Sequence, residues 1–236
     1  MFYKYLTEKR IDDILKDRLI RFSQLKALND PFENFLPWIE PKHLEKVAKR
    51  EFAKKTTEIQ VNSDILHSFT KNFKLFLVKF GVLSLSKTKT NLLMWSHYTN
   101  SYKGFIIGFN SEHEFLKSYE SVQYKKCRTV PQSLDENDIK RLLFEKPIDW
   151  EYEEEVRILK LLKNSDKRCG KDQFGQEKHL YEFPKDLIQE VIISHNMDSV
   201  SKKEVIQYCS EMNNEIKLYE TSLSITKYEI EFKEIT

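Results

Sequence analysis

The chain has 236 residues, with 39 Lys and Arg against 37 Asp and Glu and a formal charge of +2, so no global field calls for nucleic acid or a membrane surface as partner. Five glycines and six prolines against 13% aromatic residues exclude a disordered tail or a fibrous repeat and predict one ordered domain over residues 1–236. Cys127, Cys169 and Cys209 form no closely spaced pair, which argues for reduced thiols rather than a disulfide or a thiolate metal site. With early N-terminal charges and no apolar run near the ~20 residues of a membrane span, the expectation is a cytoplasmic protein with no membrane partner.

In chain order, Phe2 to Leu6 reads as a strand, and Thr7 as the cap of a helix through Arg18 with Ile11, Ile14, Leu15 and Leu19 at helical spacing. Leu19 to Ser23 reads as a second strand. Asn29, Asp30 and Pro31 then predict a rigid turn that presents Asp30 and Glu33 and places Phe32 in the core. Pro41 to Lys55 and Ser63 to Phe80 are amphipathic helices, the second with a stripe of phenylalanines and Gly81 as its stop; His43 and His67 are surface positions on them. Val82 to Ser86 and Gly104 to Phe109 are the strongest strand candidates, joined by a loop holding Trp95, His97 and Tyr98. Gly104 and Gly108 leave room for close approach to the backbone.

Val122 to Lys126 reads as a short strand and Gln132 to Leu143 as a polar helix. If Tyr152 to Leu162 is a strand, the two-residue period puts Glu153, Glu155 and Arg157 on one face. Asn164 to Lys178 is polar, holds two of the five glycines and reads as a mobile loop. Leu187 to Ile193 is a strand, Val200 to Met212 a helix, and Ile216 to Tyr219 and Ile225 to Phe232 closing strands. Strands and helices mix without regular alternation, which predicts an α+β domain with a mixed, largely antiparallel central sheet flanked by helices.

The residues that stand out for chemistry are Asp30, Glu33, His97, Tyr98, Glu153, Glu155 and Arg157. Imidazole exchanges protons near neutral pH, and His97 lies between aromatic and hydroxyl side chains. Carboxylates and a guanidinium on one strand face must pair with each other or line a polar cleft. Trp95 and Trp150 read as core anchors. Two chemistries remain open. In one, a strand-borne glutamate orients a ribose hydroxyl and stabilises an oxocarbenium-like transition state beside stacked aromatics. In the other, Asp30, Glu33 and Glu153 or Glu155 hold a divalent cation that activates water for phosphodiester cleavage, with His97 as acid or base. A non-catalytic module that binds a nucleotide or a partner is a third reading.

The succession FYKYL, RFSQLKALNDPFE, VLSLS, LMWSHYTNSYKGFIIGF and DWEYEEEVRIL resembles a widespread bacterial family catalogued as a domain of unknown function, over nearly the whole chain. More distantly, the layout is similar to the ADP-ribosyltransferase fold: a strand, helix, strand opening, an S-x-S motif at Ser84 and Ser86, and an E-x-E motif at Glu153 and Glu155. Lys4 or Tyr5 stands where those enzymes carry Arg or His. The resemblance implies NAD as the bound dinucleotide, Glu155 as the catalytic glutamate, and Ser84 and Ser86 as supports of the pocket. His97 and Glu153 are the further catalytic candidates, and Tyr5, Tyr98, Asp30 and Arg157 the further pocket candidates. The implied activity is ADP-ribosyl transfer to a macromolecular acceptor, nucleic acid or protein, in a toxin or antiviral-defence setting.

Overall fold

The computed structural model describes residues 1–34, 77–129, 136–212 and 215–235, with scattered helical positions between 45 and 75. Most of the helices expected over Pro41 to Lys55 and Ser63 to Phe80, and His43, lie outside the described residues; His67 is exposed. The fold is an α+β arrangement around a mixed sheet. Eight strands take the order β13 (Ile230–Glu234), β12 (Lys217–Leu223), β11 (Ile188–Ile193), β4 (Phe105–Phe109), β1 (Phe2–Leu6), β3 (Phe80–Ser86), β8 (Glu155–Leu161) and β5 (Glu120–Ser121). All ladders are antiparallel except β11 with β12. That parallel pair needs a crossover, supplied by the helix α3 (Ser199–Met212), which buries Val205 and Cys209 against the sheet. A second sheet orders β2 (Leu19–Phe22), β10 (Glu177–Glu182) and β9 (Lys167–Lys171), and a short parallel pair joins β6 (Gln123–Lys125) to β7 (Glu145–Pro147).

Side chains alternate across the sheet, so each strand serves two layers. Leu83 and Leu85, Phe105, Ile107 and Phe109, Val156 and Ile158, and Val191 and Ile193 form the larger core with Ile14, Leu15 and Leu187. On the other face Tyr3, Tyr5, Ile106 and Ile192 pack with Met94 and Trp95. The interleaved positions Ser84, Ser86, Glu155 and Arg157 are thereby turned away from the larger core.

The central feature is a fork. β1 meets β4 along five registered pairs but meets β3 only at Tyr3 opposite Ser86. At its other end β3 is tied to the second sheet, where Ser23 and Val82 exchange backbone hydrogen bonds of 2.8 Å. β3 therefore leaves β1 for the second sheet, and a gap opens between them.

Several expectations are corrected. Thr7 makes no side-chain cap, and the expected helix is a 3-10 turn (Glu8–Arg10) followed by a π turn (Asp12–Lys16) that ends at Arg18 with φ +54°. Gly81 lies inside β3 rather than ending a helix, and its lack of a side chain serves close packing: a Cβ there would sit 2.6 Å from Leu162 Cδ2 and 2.8 Å from Phe22 Cβ. The loop expected around Trp95 is the helix α1 (Leu92–Tyr98), capped by Asn91 Oδ1, which accepts from Leu93 and Met94 amides. Asn164 to Lys178 is largely a hairpin of β9 and β10, whose turn Asp172 organises by accepting from Phe174 and Gln176 amides. Phe32 is half exposed rather than a core plug. Of the polar helix expected over Gln132 to Leu143, the described residues form α2 (Glu136–Leu142), and Ile225 and Tyr228 are fully exposed in the connection before β13.

Candidate functional site

The site lies at the fork. A 3-10 turn (Ile148–Glu153) leads into β8 through Glu154, whose φ of +45° is left-handed backbone. Glu153 is thus in the turn and not on the strand, correcting the reading of Glu153, Glu155 and Arg157 as one strand face. Only Glu155 and Arg157 share that face. The reversal at Glu154 nonetheless brings Glu153 and Glu155 to one cation: Lys146 Nζ on β7 donates to Glu153 Oε2 at 2.5 Å and to Glu155 Oε2 at 3.3 Å. β3 fixes the geometry from the other side. Ser86, opposite Glu155 in register, donates to the Glu153 carbonyl at 2.7 Å, and the Ser84 hydroxyl bonds the Glu155 carboxylate. Tyr124 accepts the Glu155 amide at 2.7 Å.

Arg157 is 1% exposed and completes the cluster. It donates through Nε and Nη2 to the two Glu155 oxygens at 2.7 and 3.0 Å, through Nη1 to the Leu143 carbonyl at 2.7 Å, and through Nη2 to Glu33. Three carboxylates therefore share two cations in a buried setting, where removing either cation strands a charge. Burial pushes the Glu155 carboxyl up, but Arg157 and Lys146 outweigh it and hold it at about 2. For Lys146 burial opposes the charge and the surrounding carboxylates win, so its pKa is raised. Glu33 goes the other way: burial exceeds the pull of Arg157 and raises it. Burial lowers Lys4 to about 8, with Glu155 opposing the fall, and its Nζ donates to the Ser84 carbonyl at 2.8 Å.

Two cavities border this cluster. The smaller, about 190 Å³, lies in the fork and is lined by Lys4 and Tyr5 of β1, Ser84 and Ser86 of β3, and Glu153 and Glu155. The larger, about 400 Å³, is lined by Asp30, Phe32, Lys126 and Arg128 with Leu142, Leu143 and Pro147. Glu33, Lys146 and Arg157 line both and form their common wall. The larger falls in the ~300–1,000 Å³ range of small-molecule sites, and the smaller suits a fragment of such a ligand.

Of the residues singled out in the sequence, Tyr5, Ser84, Ser86, Tyr98, Glu153, Glu155 and Arg157 meet at the smaller cavity. Tyr98 donates to Glu153 Oε1 at 2.5 Å and accepts from Asn29 Nδ2 at 2.7 Å, and burial pushes its phenol strongly upward, with Glu153 adding to the rise. Asp30 lies instead at the larger cavity. Its Oδ1 accepts the Phe32 amide at 2.9 Å, whereas its buried Oδ2 has no hydrogen-bond partner among the described residues. His97 lines neither cavity: it is exposed at the end of α1, and its Nδ1 is 3.1 Å from the Tyr152 hydroxyl. Trp95 is a fully buried anchor, while Trp150 is half-buried with Lys146 Nζ 4.6 Å above its ring.

Lys146 and Tyr124 escaped the sequence reading, and Asn29 was read only as a turn former, not as the donor to Tyr98. The available signal was charge balance, since one guanidinium cannot neutralise three converging carboxylates. Cys127, Cys169 and Cys209 are free thiols, and burial pushes Cys209 up to about 12. Among the described residues no group of three or more His, Cys, Asp or Glu is placed to hold a metal ion, and no helix is long and apolar enough to cross a membrane. No family model matches the chain, and no curated protein or solved structure is significantly similar to it.

Proposed function

We propose that the chain transfers ADP-ribose from NAD to an acceptor, with the reacting ribose in the smaller cavity. The observation that supports this reading is the convergence of the β1, β3 and E-x-E residues on one cavity at the fork. The larger cavity fits the rest of the dinucleotide. Asp30 Oδ2, without a partner among the described residues, suits a hydroxyl or amine donor, Lys126 and Arg128 suit the pyrophosphate, and the apolar wall suits the adenine.

The two glutamates divide the work. A carboxylate offers about four lone-pair sites. Glu155 spends its sites on Arg157, Lys146 and Ser84, which keep it ionised as a fixed negative charge beside an oxocarbenium-like centre. Glu153 accepts only from Tyr98 and Lys146 among the described residues, which leaves capacity for a ribose hydroxyl. In the transfer the bond between C1′ and the nicotinamide nitrogen breaks, its electron pair leaving with neutral nicotinamide. C1′ bonds the acceptor's nucleophilic atom, and Lys4, with its pKa near 8, takes the proton that atom loses. The metal-nuclease reading fits less well, because Glu33 and Glu155 are engaged with Arg157 instead of facing a common cation site.

The test is nicotinamide release from NAD with water as acceptor. Wild type releases it, and Glu155→Gln loses on the order of 10²–10³ of the rate, as for removal of one preorganised electrostatic group. Absence of release together with absence of NAD binding sinks the reading.

A further inference from the structure

A third cavity, away from the Glu153 and Glu155 cluster, is charged mostly by cations. It is an open groove of about 1,070 Å³ at the Phe80 end of β3, and the described residues lining it include Lys26, Lys79, Lys140, Lys163, Arg168 and Lys171. Glu177 is the one carboxylate among the described lining residues, 3.9 Å from Arg168 and 3.5 Å from His179. Among the described lining residues, six cations against one carboxylate is a strong local excess in a chain whose formal charge is only +2. The cations come from separate elements: a 3-10 turn (Leu25–Ala27), the residue before β3, α2, the turn after β8 (Leu162–Asn164), and β9. Five of them are exposed, and the sixth, Lys140, stands 5.7 Å from the Phe80 ring. Between them lie the apolar Leu25, Leu161 and half-exposed Val78, together with the polar Gln24, Gln176 and His179.

We infer that this groove binds single-stranded nucleic acid. A cationic rim contacts a chain of phosphates, and an apolar floor receives unpaired base faces, which a duplex keeps stacked inside. An acidic protein surface would satisfy the rim but not the floor. The groove neighbours the larger cavity, since Leu25 lines both. Along β3, Phe80 and Ser84 are four residues apart, roughly 13 Å at the rise of a strand. A strand held in the groove is thus presented towards the fork as the acceptor. That last role rests on the transferase reading; binding itself does not.

The experiment is fluorescence anisotropy of a labelled 12-nucleotide oligo(dT) and oligo(U), without NAD, across a salt series. A duplex of the same length and a poly-glutamate peptide are compared in parallel. The single strands bind tightest, with a log–log salt slope of about −4 if all six cations engage phosphates. Lys163→Glu with Lys171→Glu weakens binding at least about tenfold, whereas Lys203→Glu with Lys217→Glu, an equal charge change elsewhere on the surface, leaves it unchanged. Both double variants keep the wild-type response to NAD, which separates failure here from failure of the transferase reading. Equal loss in the two double variants, poly-glutamate binding as tight as oligo(dT), or no single-strand binding at low salt overturns the inference.

Discussion

Replacing Lys146 by methionine keeps the length of the side chain but leaves Glu153 and Glu155 without their shared cation in a buried site. The expected loss is about 3–5 kcal/mol in a urea titration, as when one partner of a buried ion pair is removed; a loss under about 1 kcal/mol would mean that the cluster relaxes or is wetted. Acid unfolding carries a second signature. Glu155 is held at about 2, below its ordinary 4.5, so its contribution is present above pH 4.5 and lost as pH falls towards 2. Lys4 acts in the opposite sense. With its folded pKa near 8 against an ordinary 10.5, the unfolded chain binds more protons between those values, and stability rises from pH 8 to pH 10.5. Lys4→Met removes that rise, which a series of melts at fixed ionic strength shows directly. The acidic cluster and Arg157 were visible in the sequence as E-x-E-x-R, but its second cation was not, because Lys146 reaches it from β7 of a separate two-stranded sheet and no local spacing encodes that contact.

Elements show where local pattern and tertiary demand part. Gly104 precedes β4, and a Cβ there would lie 2.0 Å from the Leu6 carbonyl oxygen. Gly104→Ala must therefore displace β1 backbone, and the expected cost is at least the ~1–3 kcal/mol typical of overpacking, read as a lowered urea midpoint with unchanged slope. Gly175→Ala in the β9–β10 turn meets no atom but sits at φ +73°, so its smaller cost is purely conformational. The alternating and wholly apolar strands β1, β3, β4 and β11 were legible because burial on both faces leaves a run that loops do not show. Helix α1 was not: its polar and aromatic residues hide the Asn91 cap, and its buried face is confined to Met94 and Trp95. β9 and the turn after it were read as a loop since β9 is exposed and charged, held by pairing with β10 rather than by a core of its own.

At the scale of the molecule, the sequence supported a mixed, largely antiparallel sheet, and the sheet is of that kind. What no local pattern could give is the fork, because it depends on β3 having one neighbour along part of its length and another along the rest. The fork also explains why residues scattered from Lys4 to Arg157 share one cavity. The measurement that tests this account most directly is the thermal shift of wild type and Glu155→Gln with NAD, with magnesium and manganese in parallel wells. Binding at the fork predicts a melting temperature that climbs with NAD concentration as linkage requires, without need of either metal. A shift with metal alone, or none with NAD at any concentration, contradicts it.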